Sequence, residues 1–210
     1  MKFGVIVFPG SKCDRDIAYI LKDILKQPTH MIWHEDSDLG DADVVVVPGG
    51  FSYGDYLRCG AIAQFSAAMR ATVEHAKKGK QVMGICNGFQ ILTELGLLPG
   101  ALVRNRDLHY ICDRLPMSVE RNDLPWTKGY EKGQVITLPI AHGEGCYFAD
   151  DETLKAIEDN NQVLFRYCET NGNASEAGNP NGSLNNIAGI CNKAGNVLGM
   201  MPHPERAADA

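Results

Sequence analysis

The sequence predicts an α/β fold, in which one open, mainly parallel, twisted sheet carries helices on both faces. Short apolar runs alternate with amphipathic helical patterns over the first hundred residues. The run Val44–Val47 contains no polar residue, as expected for a strand that is buried on both sides. Beyond Leu98-Pro99-Gly100 the apolar runs are joined mostly by turns, which indicates antiparallel additions to the sheet in the C-terminal half.

The first half of the chain is predicted to follow a β-α-β-β-α-β-α order. Strands are expected at 2–8, 31–34, 44–47 and 81–85, and helices at 14–26, at 61–78 and from Phe89 onward. The first helix shows an apolar face at helical spacing, made by Ile17, Ile20, Leu21, Ile24 and Leu25. Such an order favours parallel strands, because each helix returns the chain to the same edge of the sheet.

The second half is predicted to be richer in strands, at 117–120, 135–141, 163–167, 187–191 and 197–201. A short helix is expected at 151–159, with Asp150 or Asp151 as its N-cap. The segment 168–186 is rich in Asn, Gly and Ser and is interpreted as a flexible surface loop. No repeat or linker divides the chain, so residues 1–210 are predicted to form a single domain.

Composition excludes several classes of function. The net charge is −6 and no basic cluster is present, which argues against a nucleic-acid partner. No apolar run approaches the ~20 residues that span a bilayer, and the apolar start is too short for a signal peptide. Seven cysteines without C-x-x-C spacing indicate reduced thiols in the cytoplasm, and no metal site is expected.

A cysteine between two glycines is the strongest indication of chemistry. Cys86 lies in Gly84–Gly88, with an apolar strand before it and an amphipathic helix after it. This arrangement is typical of a nucleophile elbow, in which small residues permit a sharp turn beneath the nucleophile. A helix N-terminus also favours the thiolate over the thiol. The alternative is a buried cysteine in an ordinary strand–helix turn.

A histidine and a glutamate follow the last predicted strand. His203 stands between two prolines, which hold the chain extended, and Glu205 is two residues further on. A cysteine nucleophile needs a base, and the base needs an orienting group. Cys86, His203 and Glu205 therefore make a candidate catalytic triad. The alternative is a proline-rich strand exit with a surface His and Glu.

A glycine-rich turn follows the strand at 44–47. In Pro48–Asp55 the glycines permit close approach of the backbone to a ligand. The N–H groups of Gly50 and Asn87 are predicted to hold the oxyanion that an attacked carbonyl develops. An ordinary turn and a phosphate-binding loop are the alternatives, although neither G-x-G-x-x-G nor the P-loop pattern is present.

Five stretches of the chain resemble one enzyme family, and the resemblance extends from Lys2 to Arg206. They read VIVFPGSKCDRD, PGGFSYGDYLRCGAIA, GICNGFQILTELGLLPGAL, HGEG and GNVLGMMPHPER. The sequence resembles the class I, triad-type glutamine amidotransferases, and among them the amidotransferase subunits of phosphoribosylformylglycinamidine synthase. The resemblance implies a flavodoxin-like arrangement of the parallel strands and an enzyme that hydrolyses glutamine.

The resemblance also implies roles for individual residues. Cys86 would attack the glutamine carboxamide to form a γ-glutamyl thioester, with His203 as base and acid and Glu205 orienting it. Water would then release glutamate. Residues implied to contact the bound glutamine are Gln90, Ala141, His142 and Gly143. The alternatives are a helix-surface position for Gln90 and a turn position for His142.

Partners are implied as well. The ammonia would pass to a large synthetase subunit, joined by a small bridging subunit, which converts formylglycinamide ribonucleotide to formylglycinamidine ribonucleotide in purine biosynthesis. ATP and Mg²⁺ would be used by that synthetase, so no cofactor is expected in this chain. The residues expected to contact the partner are Tyr53, Tyr56, Leu57 and Arg58, unless this loop simply packs onto the following helix.

Two features depart from the family pattern. Lys12 stands where the family usually has Asn, which adds charge and length near the expected site. Members of the family continue with a further helix beyond the position of 207–210, so either such a tail or a partner is expected to cover the last strand.

Three other readings remain open. The chain could be a different Cys-dependent hydrolase or chaperone-like protein, or a pseudo-enzyme that serves only as a structural partner. It could also be a redox sensor that uses Cys13 or Cys59 with Cys86. Cys13 stands at a predicted helix start, as a second reactive thiol or as a packed cap.

Overall fold

The computed structural model describes residues 1–208, which fold into one nine-stranded sheet, a two-stranded sheet and four α-helices. The strands are β1 (Phe3–Val7), β2 (Thr29–Trp33), β3 (Val44–Val47), β4 (Gln81–Ile85), β5 (Ala101–Val103), β6 (Ile111–Val119), β7 (Val135–His142), β8 (Cys146–Phe148), β9 (Val163–Tyr167), β10 (Ile187–Cys191) and β11 (Val197–Met200). The helices are α1 (Asp14–Tyr19), α2 (Ala67–Lys77), α3 (Asn87–Glu94) and α4 (Asp151–Asp159).

The large sheet is open, with the strand order β2-β1-β3-β4-β11-β10-β9-β6-β7. The first five strands pair in parallel, and the remaining four are added in antiparallel fashion. The predicted fold class is therefore confirmed. The five parallel strands follow the flavodoxin-like order, in which ligands bind beyond the carboxyl ends of the strands next to the point where the order reverses.

Burial follows from this topology. All four valines of β3 are buried, as the apolar run predicted, because the strand is central and covered on both faces. One apolar cluster fills the parallel half of the molecule, and a second lies along β6, β7, β9, β10 and β11. Among the described residues, no helix combines the length and the apolar character that a membrane crossing requires.

Two predicted helices are shorter than expected. The helix from Asp14 gives way to a π-helical turn at Ile20–Ile24, where Leu25 N–H donates to Ile20 O. The wider turn breaks the 3.6-residue spacing, so Ile24 and Leu25 are exposed rather than on the buried face. The helix predicted from residue 61 begins instead at Ala67, because the Ser66 side chain caps it by accepting from Met69 N–H.

The segment 168–186 was wrongly interpreted as a flexible surface loop. Asn179, Asn181, Ser183 and Asn186 are buried in it. The asparagine side chains among them donate hydrogen bonds to backbone carbonyls of the sheet and its turns. Asn186 Nδ2 donates to Tyr167 O at 2.9 Å, and Asn181 Nδ2 donates to Gly145 O at 2.8 Å. Polar composition misled the prediction because these side chains serve as internal hydrogen-bond partners for irregular backbone.

The prediction missed two short strands and made a third strand too short. The short strands β5 and β8, which pair with each other, were not predicted. Strand β6 begins at Ile111 rather than at residue 117, because its register with β7 runs from Ile111 opposite His142 to Ser118 opposite Val135. Much of this hairpin is solvent-facing, so its exposed positions lack an apolar signal.

The close approach of β3, β4 and α3 explains the small residues around Cys86. A Cβ atom on Gly84 would lie 2.6 Å from Leu92 Cδ1 and 2.7 Å from Gly88 O. One on Gly88 would overlap the carbonyl oxygen of Val47, which is fixed backbone of the adjacent strand. The two glycines are therefore steric requirements of the packing.

Replacing Gly88 by alanine should strongly destabilise the fold. The added methyl group meets backbone that cannot move aside, so we expect Gly88→Ala to lower the free energy of unfolding by at least ~2 kcal/mol. Gly129→Ala is the control, because nothing lies within 4 Å of its Cβ position, and it should change stability by less than ~0.5 kcal/mol. Urea denaturation measures both. Equal stability of the two variants would contradict the steric argument.

Candidate active site

Four chain segments meet at the carboxyl edge of the parallel strands. The turns after β1 and β3 are joined by a bridge between Ser11 and Gly50. Cys86 follows β4, and the segment of His203 follows β11, which lies beside β4 in the sheet. Three of these segments were singled out from the sequence, and the structure brings them to one place.

Cys86 stands between β4 and α3 in a strained backbone conformation. Its φ of 50° and ψ of −107° are unusual for a residue with a side chain, and its backbone N–H donates to Met200 O at 2.7 Å. That bond ties the elbow to the end of β11. The sulfur is almost buried and lies 3.9 Å from the carbonyl oxygen of Ala141, to which the thiol donates. Strain of this kind is typical of functional positions.

His203 and Glu205 form a buried pair rather than a surface one. Their side chains are 3% exposed each, and His203 Nδ1 lies 2.7 Å from Glu205 Oε1. The backbone N–H of His203 donates to Pro139 O at 2.8 Å, which anchors the segment to β7. The carboxylate therefore holds the proton on Nδ1 and leaves Nε2 free to exchange a proton with a nucleophile.

Gly49 shows how close the nucleophile and base lie. A Cβ atom on this residue would be 2.7 Å from His203 Cε1 and 3.4 Å from the Cβ of Cys86. The imidazole and the elbow thus flank the same stretch of backbone. The predicted triad residues are brought together, with Cys86 contributed by one strand end and the His–Glu pair by its neighbour.

The electrostatics favour a charged imidazole. Burial lowers the pKa of His203, but the thiols of Cys13 and Cys86 and the carboxylate of Glu205 outweigh burial and raise it to about 12. A protonated His203 therefore lies beside the elbow as a proton donor.

Asn87 fastens the glycine-rich turn to the start of α3. Its Oδ1 accepts from Ser52 N–H at 3.1 Å, and its Nδ2 donates to Asp55 Oδ1 at 3.0 Å and to Gln90 Oε1 at 2.9 Å. As the first residue of α3, Asn87 has a backbone N–H without a helical acceptor. Gly50 lines the cleft at a φ of 110°, and a side chain there would strike Lys12 N at 2.6 Å. Both predicted oxyanion donors therefore border the site.

Gln90 is buried and organises the site as well as lining it. Its Oε1 accepts from Asn87, and its Nε2 donates to Glu144 O at 2.6 Å. The surface-position alternative for Gln90 is therefore wrong. The bond to Glu144 O fixes the turn that carries Ala141 and Gly143 into the cleft.

The His142 side chain packs beneath this turn. Asn105 Oδ1 accepts from Gly145 N–H at 3.1 Å, which identifies this atom as the amide oxygen. His142 Nδ1, also 3.1 Å from Asn105 Oδ1, must therefore carry the proton and donate to it. Asn105 Nδ2 donates to the backbone oxygens of His109 and His142. The sequence offered no signal for Asn105, because an isolated Asn gives no pattern. His142 also lines the cleft, and its ring braces the turn through Asn105.

The site opens into a narrow cleft of about 150 Å³. Typical pockets for drug-sized ligands hold ~300 Å³ or more, so this cleft suits a molecule of amino-acid size. Besides the predicted residues, charged and polar side chains that the sequence reasoning did not assign line it: Lys12, Cys13, Asp55, Cys59, Tyr110, Glu144 and Arg206. Charges of both signs at its walls suit a zwitterionic ligand.

The loop after β3 presents three of its four expected partner contacts, Tyr56, Leu57 and Arg58, to solvent. Tyr56 and Leu57 are 74% and 93% exposed. The side chain of Arg58 pairs with Glu94 at 2.5 Å. Tyr53 packs inward instead, since its hydroxyl lies 2.5 Å from His34 Nδ1 and its ring packs against Phe8, which supports the packing alternative at that position.

Comparisons with known proteins agree on one family. The model of the CobB/CobQ-like glutamine amidotransferase domain matches residues 1–210. The chain is similar to the phosphoribosylformylglycinamidine synthase subunit PurQ of Acaryochloris marina, with 70% identity over 100% of this chain and 89% of that protein. The PurQ subunit of Synechocystis sp. is 69% identical over 99% of this chain and 92% of that protein.

Solved structures show the same likeness. A chain in the structure of PurLQS from Thermotoga maritima superposes with a TM-score of 0.86 at 43% identity, over 99% of this chain and 89% of that one. A glutamine amidotransferase from the same organism gives a TM-score of 0.62 at 15% identity, over 98% of this chain and 76% of that one, which shows the shared fold alone.

Because of His142, the protein should become less stable as the pH is lowered. Burial, and to a lesser extent the charge of His203, lower the pKa of His142 from 6.5 to about 4. Below pH 6.5 the unfolded chain therefore takes up a proton that the folded chain refuses, and the free energy of unfolding should fall by up to ~3 kcal/mol as the pH drops to 4.

His142→Asn should remove much of this fall, because Asn keeps an N–H donor for Asn105 but does not titrate. The test is the slope of unfolding free energy against pH between 6.5 and 4, compared with wild type. His109→Asn, at an exposed position, should leave the slope unchanged. An unchanged slope in His142→Asn would overturn the assignment.

Proposed function

Because the chain belongs to the CobB/CobQ-like glutamine amidotransferase domain family, among the PurQ subunits, we propose that it is the glutaminase subunit of a phosphoribosylformylglycinamidine synthase. It hydrolyses glutamine to glutamate and supplies ammonia to a synthetase. The observation that carries the chemistry is the position of Cys86 on its strained elbow, beside the buried pair of His203 and Glu205.

Hydrolysis proceeds through a thioester. The Cys86 thiolate attacks the side-chain carbonyl carbon of glutamine, and the carbonyl oxygen, now negative, accepts from the N–H groups of Gly50 and Asn87. The His203 imidazolium then donates its Nε2 proton to the departing nitrogen. The C–N bond breaks, ammonia leaves, and a γ-glutamyl thioester remains on Cys86.

Water completes the cycle. His203, now neutral, accepts a proton from water at Nε2, and the hydroxyl attacks the thioester carbon. The C–S bond breaks, glutamate leaves, and the thiolate is restored. Glu205 keeps the imidazole oriented throughout, since its carboxylate accepts from Nδ1 in both steps. Burial of the pair excludes bulk water, which strengthens the interaction between these charges.

Glutamine recognition uses the walls of the narrow cleft. The carboxamide reaches Cys86, while the backbone of Ala141 and Gly143 and the side chain of Gln90 border the substrate. Carboxylates of Asp55 and Glu144 and cations of Lys12 and Arg206 line the same cleft. These charges match the α-ammonium and α-carboxylate groups of an amino acid, which distinguishes glutamine from a simple amide.

Ammonia must reach a second active site, because this chain carries no signature of ATP-dependent amide activation. The Thermotoga maritima structure is titled as a PurLQS complex, and we assign corresponding partners here, a large synthetase and a small bridging subunit. ATP and Mg²⁺ belong to the synthetase in this proposal. The reaction takes place in the cytoplasm, which keeps thiols reduced, and all seven cysteines of the chain are free.

The variant Cys86→Ala should separate synthesis from glutamine from synthesis with added ammonium. In the assembled complex we expect glutamine-dependent synthesis to fall at least about a thousandfold, because the nucleophile is lost. Synthesis from added ammonium should stay within about twofold of wild type. Cys112→Ala removes an exposed thiol and should leave both activities intact. Glutamine use that survives in Cys86→Ala would show that the nucleophile is misassigned.

The exposed loop after β3 offers a test of the partner surface. Leu57→Glu places a charge on a side chain that is 93% exposed, so the isolated chain should fold normally. If this loop contacts the partner, affinity for the other subunits should fall by about tenfold, which corresponds to ~1.4 kcal/mol. Met31→Glu, on the edge strand β2, is the matched control. Equal affinities in a titration of both variants would exclude Leu57 from the interface.

A further inference from the structure

One carboxylate of the cleft has no partner of opposite charge. Asp55, in the glycine-rich turn after β3, is half-buried and lines the cleft together with Cys86. Its Oδ1 accepts from Asn87 Nδ2 at 3.0 Å, and its Oδ2 accepts from the Cys59 thiol at 3.2 Å. Both donors are neutral, and no Lys or Arg within residues 1–208 forms an ion pair with Asp55. The protein therefore leaves the negative charge at this wall of the cleft uncompensated.

The second carboxylate of the cleft is different. Glu144 Oε1 lies 3.7 Å from Arg104 Nε, so this acid already has a cationic partner. Burial, and to a lesser extent the charge of Glu144, raise the pKa of Asp55, although the hydrogen bonds from Cys59 and Asn87 oppose the shift. A cationic group bound at Asp55 would offset both the burial of its charge and its repulsion by Glu144.

The turn holds the Asp55 carboxylate close to the nucleophile. Asn87, which donates to Asp55 Oδ1, follows Cys86 directly in the chain. The φ of Asp55 is 51°, in the left-handed region that residues with a side chain rarely adopt. An ionised carboxylate has about four positions at which it accepts hydrogen bonds, and two donors use only part of this capacity. Asp55 is thus oriented by its neighbours and can still accept from a ligand.

We propose that Asp55 is the specificity-determining residue for the α-ammonium group of glutamine. While the carboxamide lies at Cys86, the ammonium group donates to the Asp55 carboxylate and balances its charge. An amide that lacks this group leaves the carboxylate uncompensated in the narrow cleft and therefore binds weakly. This role of Asp55 rests on the proposed function, since it names the substrate group that the glutaminase recognises.

Two substrates separate this contact from general damage to the site. 4-Carbamoylbutanoate is glutamine without its α-ammonium group, and the rate of synthesis that each compound supports is measured in the assembled complex. Wild type should prefer glutamine by at least about a hundredfold in kcat/KM. Equal use of the two compounds by wild type would overturn the proposal before any variant is made.

The variant Asp55→Asn keeps an acceptor for Asn87 and removes the charge. The KM for glutamine should rise at least about thirtyfold, while kcat/KM for 4-carbamoylbutanoate should change less than about threefold. Asp23→Asn, at an exposed position, should keep the wild-type preference. Equal losses with both compounds in Asp55→Asn would show a structural role and overturn the proposal. A preference that is lost in Glu144→Gln and kept in Asp55→Asn would do the same.

Affinity provides a readout that does not depend on catalysis. Glutamine binding is measured by calorimetry in the assembled complex that carries Cys86→Ala, in which the nucleophile is absent. Adding Asp55→Asn should weaken glutamine binding at least about tenfold and should leave binding of 4-carbamoylbutanoate unchanged. Unchanged glutamine affinity would contradict the assignment. Synthesis from added ammonium shows in each Asp55 variant that the complex is assembled and folded.

Different results refute the role of Asp55 and the proposed function. A wild-type complex that makes product from ammonium but never from glutamine refutes the proposed function. A complex that uses glutamine, and in which Asp55→Asn keeps the full preference for it over 4-carbamoylbutanoate, refutes only the role of Asp55.

Discussion

The steric contact between α3 and the strands beneath it is the constraint on which the rest of the site depends. Gly88 lies against the carbonyl of Val47, and Gly84 lies against Leu92 and Gly88, so the helix begins directly over the sheet with no room for larger residues. This contact leaves Cys86 in a left-handed, strained conformation at the sheet edge. The packing of three elements therefore supplies the energy that holds the nucleophile away from its preferred backbone geometry.

The strand order brings the strained elbow next to the segment that carries His203 and Glu205. β11 inserts parallel to β4, although more than a hundred residues separate them, and the N–H of Cys86 bonds to the end of β11. His203 and Glu205 follow that strand at once and are buried against it. Neighbouring parallel strands end at the same edge. A nucleophile and its base can thus come from distant parts of the sequence and still face each other.

Asparagine side chains hold the irregular parts of the site in place. Asn87 fastens the glycine-rich turn to α3, Asn105 braces the turn of His142, and Asn181 holds the carbonyl of Gly145. Each of these side chains is buried, and each forms hydrogen bonds with backbone groups that have no partner within a helix or strand. The backbone around the cleft is consequently held by buried side-chain hydrogen bonds.

The sequence by itself determined the fold class, the strands of the parallel half, the position of the elbow and the candidate triad residues. These features follow from local sequence patterns, because apolar periodicity and glycine spacing depend on steric contacts between residues close together in the chain. Only the tertiary structure decided that His203 and Glu205 are buried, that segment 168–186 is packed, and that the apolar pattern after Asp14 is broken by a π-helical turn. It alone placed Cys13 beside the pair. The reason is physical: burial and proximity arise from strand order and long-range hydrogen bonds, and a chain pattern carries no record of which distant segments will meet.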